Sequence, residues 1–152
     1  MDAVVGFEPI ATQLEKLGAR RLLDSRRFPG LIVDMLVART DALAASPEQF
    51  RQLATGYFRA LEYLEHSPAK AAPLMAPRMN ISPDEVLQAL RGVRLMNLAA
   101  NHALLAGATP QLQPLARHVA GLMQRSGLLQ TAPNLDQLID MRYLPPLKEG
   151  AA

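Results

Sequence analysis

The apolar positions of this chain change their period once. Before residue 40 they come in short consecutive runs, and after it they recur every three or four residues. Three early runs predict strands: residues 2–7 (DAVVGF), 19–23 (ARRLL) and 31–38 (LIVDMLVA). The third is the most apolar and organises the rest. Val, Ile and Leu at consecutive positions suit a strand covered on both faces, and Pro29-Gly30 punctuate its start. Its one acid is Asp34. Between the first two runs, residues 10–17 predict a short helix. Pro9 fits its first position, where a missing N–H would be an orphan anyway, and Gly18 is its stop. Residues 24–27 (DSRR) form a polar loop. The result is β-α-β-loop-β, a piece of an α/β unit with too few strands to make a covered sheet alone.

From Asp41 the period is helical. Ser46-Pro47-Glu48-Gln49 is a helix start: Ser46 caps, Pro47 fits the first turn, and Gln49 can close a capping box. Phe50, Leu53, Ala54, Tyr57, Phe58, Leu61 and Leu64 then mark one broad apolar face. The same device recurs at Ser67-Pro68 and at Ser82-Pro83-Asp84-Glu85. Pro73 and Pro77 predict that the helix after Ser67 is short or kinked. Asn97 to Leu105 predicts one or two helical turns ending near Gly107. Thr109-Pro110 opens a longer helix whose apolar positions are Leu112, Leu115, Ala116, Val119, Leu122 and Met123, with Gly127 as its terminator. The tail carries a short amphipathic piece, then Pro145-Pro146 and a frayed end from Lys148.

Composition changes this picture only in places. At 152 residues the chain is one domain or a large part of one. Aromatic residues make up 5%, with no Trp, so Leu, Ala and Met must do most of the core filling, which favours helix packing. The net charge is +2 without a basic tract, which disfavours nucleic acid as a partner. There are no cysteines, which removes disulfides, thiolate metal sites and a Cys nucleophile. No apolar run approaches the ~18 residues of a membrane span. Nor is there a secretion pattern at the N-terminus, so the chain as given is expected in the cytoplasm if it is the full gene product.

The ordered set DAVVGFEP, a Leu-rich segment ending in Asp-Ser, PGLIVDMLVAR, SPEQF…YFRALEYLEHSP, ISPDEVLQAL and the closing PNLDQLIDMRYL resembles the C-terminal half of periplasmic solute-binding proteins of the nitrate/sulfonate/taurine and thiamine-pyrimidine-precursor class, which serve ABC importers. The set carries the likeness more than any one piece. The resemblance implies a two-lobed α/β fold of the periplasmic-binding-protein type II kind and a periplasmic location. Residues 1–30 would end the second lobe, 31–40 would be a crossover strand, and 41–152 would be the helical remainder of the first lobe. It also implies that the N-terminal lobe is missing. The partners to expect are therefore a small-molecule solute, that lobe or a second copy of this chain in a homodimer, and an ABC permease. A bare sheet edge and apolar helix face need a cover.

Five residues are candidate ligand contacts. Phe7 and Glu8 lie at the end of a predicted strand just before a helix, where ligands of open α/β sheets collect; the resemblance also places an aromatic-Glu-Pro segment at the cleft. The plain alternative is a core Phe and a solvated Glu. Asp24 and Ser25 end the next predicted strand, and their alternative is a loop-forming side-chain turn. Arg26 and Arg27 could meet an anion or simply be solvated. Asp34 is an acid inside an apolar run. Unpaired burial would cost several kcal/mol, so it is either a hinge or ligand-facing group or a strand-end residue bonded to backbone N–H groups. If Glu8, Asp24 and Asp34 converge, a simple anion such as nitrate is disfavoured, and a neutral or cationic amine or heterocycle is favoured.

His66, His102 and His118 are far apart in sequence and lack carboxylates at ligand spacing, so no metal is expected. No nucleophile elbow, phosphate loop or paired acid-base motif occurs, and neither an enzyme nor a cofactor is expected. Two readings compete with a solute-binding module. One is a helical homo-oligomeric interaction module without a small-molecule ligand. The other takes residues 82–96 as a DNA-reading helix, but only Arg91 and Arg94 supply cations there.

Overall fold

The computed structural model describes residues 2–28, 32–107, 110–136 and 138–147. Among them the regular structure is entirely helical: α1 (Ile10–Lys16), α2 (Thr40–Ala45), α3 (Pro47–His66), α4 (Pro68–Met79), α5 (Pro83–Leu90), α6 (Leu98–Leu105) and α7 (Leu112–Arg125), with single 3-10 turns at Ser25–Arg27 and Met141–Tyr143. This overturns the expected α/β class and, with it, the periplasmic-binding-protein fold. Residues 2–7, 19–23 and 32–38 are irregular backbone, not strands. The physical reason is the shortage already visible in the sequence. A strand is stable only in a ladder with neighbours, and these runs find none among the described residues. Leu31 itself lies outside the described residues, as do Pro29, Gly30, Thr109 and the predicted frayed end from Lys148.

The chain divides into two compact units: Met1–Arg27 with Arg59–Met96, and Phe28–Phe58 with Asn97–Ala152. In unit 1 the core is the α4–α5 pair. Ala72 and Val86 are fully buried, with Ala76 beside them, and Met75, Met79, Ile81, Leu87 and Leu90 pack around. Small alanines on α4 leave room for Val86 of α5 between the two helices. Helix α4 runs through Pro73 and Pro77 for its whole 12 residues, longer than the prolines predicted. It ends where Asn80 turns left-handed at φ 54°, a conformation Asn tolerates better than most residues. Helix α1 stops one residue before Leu17, through Gly18 at φ +94°. There the Ala19 N–H donates to Leu14 O at 3.0 Å, the long-range bond of a glycine-terminated helix.

The three Ser-Pro starts each place proline at the first helical residue. Only Ser82 works as a full cap. Its hydroxyl accepts from the Glu85 N–H at 3.3 Å while the Ser82 N–H donates to Glu85 Oε2 at 2.9 Å. Ser67 makes no side-chain cap. Ser46 is spent as the last boundary of α2, its N–H donating to Ala42 O at 3.0 Å.

In unit 2, Phe50, Ala54 and Phe58 of α3 are half-buried, whereas Leu53 and Tyr57 of the predicted face are exposed. Tyr143 meets the start of α3: its ring stands edge-on to Phe50 at 6.2 Å and lies under the Arg51 guanidinium at 5.6 Å. His102 of α6 donates from Nε2 to Pro145 O at 2.7 Å. Both contacts fix the 140–147 stretch within the unit. Helix α7 matches its predicted face except at exposed Leu122. It closes at Gly127, φ +71°, with the Leu128 N–H donating to Met123 O at 2.8 Å. Helix α6 is capped by Asn97, whose Oδ1 accepts from the Ala100 N–H at 2.9 Å. Asn97→Ala is expected to cost about 0.5–1 kcal/mol, read as a lower urea midpoint and faster amide exchange at Ala100. An unchanged exchange rate there would show that the cap is dispensable.

Candidate functional site

Unit 1 builds one polar node from the sequence candidates, and it is centred on Glu8. The chain enters α1 through Phe7-Glu8-Pro9, so the Glu8 carboxylate folds back over the first turn. Its Oε2 accepts from the Thr12 N–H at 3.2 Å and from the Thr12 hydroxyl at 2.7 Å. This covers an N–H that the helix leaves unpaired and places negative charge at the positive end of the dipole. Its Oε1 faces Arg21 Nη2 at 3.5 Å. Arg21 in turn donates from Nε to Glu15 Oε1 at 2.8 Å. The guanidinium is held cationic above its ordinary value, first by the bond and charge of Glu15, then by Glu8 and Asp24.

Gly92 closes the node from the other side. A Cβ there would lie 3.3 Å from Glu8 Cγ, so only glycine leaves the carboxylate its present seat without a shift. Phe7 is 79% exposed beside this half-buried group. It is therefore not the core residue of the plain alternative, and Glu8 is not the freely solvated one.

Asp24 also belongs to unit 1. Its Oδ1 accepts from the Arg26 N–H at 3.0 Å and from Arg26 Nε at 3.1 Å. These bonds, with weaker help from Arg21, hold its carboxyl down at about 2. The loop reading of the Asp24-Ser25 pair is thus realised as a side-chain turn at the head of the Ser25–Arg27 3-10 turn, with Ser25 exposed. Asp34 belongs to unit 2 and is exposed. The desolvation cost that made it an anomaly does not arise.

Glu8 and Asp24 therefore share the field of Arg21, while Asp34 lies in the other unit. The node is not a bare acid cluster, because Arg21 and Arg26 stand against Glu8, Glu15 and Asp24. Three carboxylates against two guanidinium groups leave the node with a net charge of −1, which disfavours a simple anion. Arg21, Thr12 and Gly92 were missed from the sequence. Thr12, four residues after Glu8 at a helix start, was a readable signal; Arg21 and Gly92 are brought in only by folding.

Among the described residues, unit 2 has open hollows of its own. One, of about 270 Å³, is lined by Leu105, Pro110, Gln113, Asp136 and Met141; another, of about 380 Å³, by Arg117, Gln124, Asn134 and Asp136 among others. Neither includes a sequence candidate. Among the described residues, no group of three His, Asp or Glu side chains is placed to hold a metal ion. No helix there is long and apolar enough to cross a membrane. Comparison with protein-family models, with curated proteins and with solved structures gives no match.

Proposed function

We propose that the chain is a solute-binding module related to the receptor components of ABC importers for nitrate, sulfonate, taurine or pyrimidine-type compounds, and that it meets its solute at the Glu8 node. The observation that carries this reading is exposed Phe7 beside a half-buried carboxylate held between Thr12 and Arg21. A solvent-facing aromatic ring next to preorganised polar groups is what a small polar heterocycle needs. The sequence resemblance supplies the solute classes, whereas the α/β fold it also implied is not the fold observed. The net negative charge of the node favours the pyrimidine-type end of that range over nitrate.

A thermal-shift series with an aminopyrimidine, taurine and nitrate tests this. A ligand at 100 times its Kd stabilises by about 2.7 kcal/mol. The aminopyrimidine is expected to raise the Tm by several degrees, and Phe7→Ala is expected to abolish the rise. A shift with nitrate alone, or one unaffected by Phe7→Ala, refutes the assignment.

The second reading, a helical homo-oligomeric interaction module, is favoured by a separate observation. Val4, Val5, Leu22 and Leu23 of unit 1 stand 56%, 101%, 82% and 59% exposed, an apolar surface that a second polypeptide would cover.

A further inference from the structure

We propose that the hollow between α7 and residues 132–136 of unit 2 binds a small zwitterionic amino acid, its carboxylate held by Arg117 and its ammonium by Asp136. The sequence builds one wall directly. Arg117, Ala120, Gly121 and Gln124 stand at i, i+3, i+4 and i+7, a single stripe of α7. The middle two carry almost no side chain, so the stripe is hollowed between a cation at one end and an amide at the other. Beyond Gly127 the chain returns to this stripe at residues 132–136, which form the opposite wall. Asn134 fixes that wall locally, its Oδ1 accepting from the Asp136 N–H at 2.9 Å. The space between them is about 380 Å³, toward the small end of the ~300–1,000 Å³ typical of small-molecule sites.

What identifies the ligand is the pair of opposed charges. Arg117 and Asp136 line the same space, yet they form no ion pair with each other, and among the described residues neither has another charged partner. Elsewhere in unit 2, Arg39 closes on Asp41 and Arg142 on Asp140. A simple anion at Arg117 would also face the Asp136 carboxylate, and a simple amine at Asp136 would face the guanidinium. A zwitterion meets both with attraction, through charge-assisted hydrogen bonds at each end. Asn134 spends its oxygen on the Asp136 N–H and keeps its NH2 group, while Gln124 offers a donor and an acceptor. Those groups suit a neutral polar side chain, which makes L-glutamine the natural probe.

This site does not rest on the Glu8 node, which belongs to unit 1. Phe7→Ala is expected to leave amino-acid binding unchanged, and Arg117→Gln to leave any aminopyrimidine shift unchanged. Failure of one site is therefore read separately from failure of the other.

Titration of L-glutamine into the isotope-labelled chain, followed by NMR, tests the proposal. Saturable amide shifts within residues 117–124 and 132–136 are expected. N-acetyl-L-glutamine lacks the ammonium and L-glutaminamide lacks the carboxylate. Each is expected to bind at least about tenfold more weakly, the loss of one charge-assisted bond. Arg117→Gln and Asp136→Asn are expected to weaken L-glutamine by the same factor. Gly121→Leu fills the hollow without touching either charge. The nearest atom to a Cβ there is Arg125 Nη1 at 3.4 Å, the movable end of a side chain, so binding is expected to vanish with helical circular dichroism intact. Arg117→Asp combined with Asp136→Arg exchanges the two ends and is expected to restore binding that either change alone removes, which a purely structural role would not do. Absence of a saturable shift overturns the proposal, as does equal binding of L-glutamine and its two one-ended analogues. So does binding that survives Gly121→Leu, or shifts centred on residues outside the hollow.

Discussion

Val86→Asp is expected to unfold the α4–α5 pair. Val86 is completely buried, and its neighbours are Ala72, Ala76 and a ring of Met, Ile and Leu side chains. None of these can accept or donate a hydrogen bond from its side chain. A carboxylate placed there must stay charged without a partner or take up a proton, and either costs about 4 kcal/mol or more. Small domains are held by only about 5–15 kcal/mol in total. The buried core is also thin, since four of its six buried hydrophobic residues among those described are alanines. Val86→Ala separates polarity from volume. It removes two carbon groups and is expected to cost about 1.5–2.5 kcal/mol including the small void. Amide exchange across α4 and α5 reads both. Loss of protection in Val86→Asp with partial loss in Val86→Ala is the expected order. Full protection in the aspartate variant would mean that this pair is not the core of unit 1.

The second large effect is at the Ser82 cap, and it carries a pH dependence. Glu85 accepts from Lys16 Nζ at 2.6 Å and from the Ser82 N–H and hydroxyl, each at 2.9 Å. Together these hold its carboxyl at about 2, Lys16 contributing most, against an ordinary value near 4.5. The folded value lies below the unfolded one, so this stability is fully present above pH 4.5 and is lost as pH falls from there toward 2. Asp24, also held at about 2, acts in the same direction below its ordinary 3.8. The Tm is therefore expected to fall through this window, and Glu85→Gln is expected to flatten the fall. The Lys16 partner is an exposed pair, so added salt weakens it. At neutral pH, Ser82→Ala removes the hydroxyl half of the box, leaving the Ser82 N–H bond to Glu85 in place, and is expected to cost about 1 kcal/mol, or roughly 4–8 °C of Tm for a unit this small. A Tm that is flat from pH 5 to 2.5 would contradict the assignment.

The helical part of the fold was legible because its signals are local. Pro47, Pro68 and Pro83 open helices for the same steric reason in any context, and Gly18, Gly107 and Gly127 adopt positive φ where the periodic segments stop. The strands were not legible in the same sense. An apolar run such as 32–38 states a preference for a ladder, but a ladder also requires a neighbour that no local pattern supplies. The candidate site divides along the same line. Glu8 and Thr12 were within reach of a sequence reading, being one helical turn apart. Arg21 and Gly92 arrive from 13 and 84 residues further along the chain.

The sequence alone located the proline-led helix starts and several glycine stops and showed that alanine, leucine and methionine would fill the core. Only the tertiary structure decided that α4 and α5 hold unit 1 together, that a guanidinium stands between Glu8 and Glu15, and that Asp34 is exposed. The difference is one of range. Backbone sterics and capping act within a few residues, whereas burial and ion pairing depend on which distant segments meet.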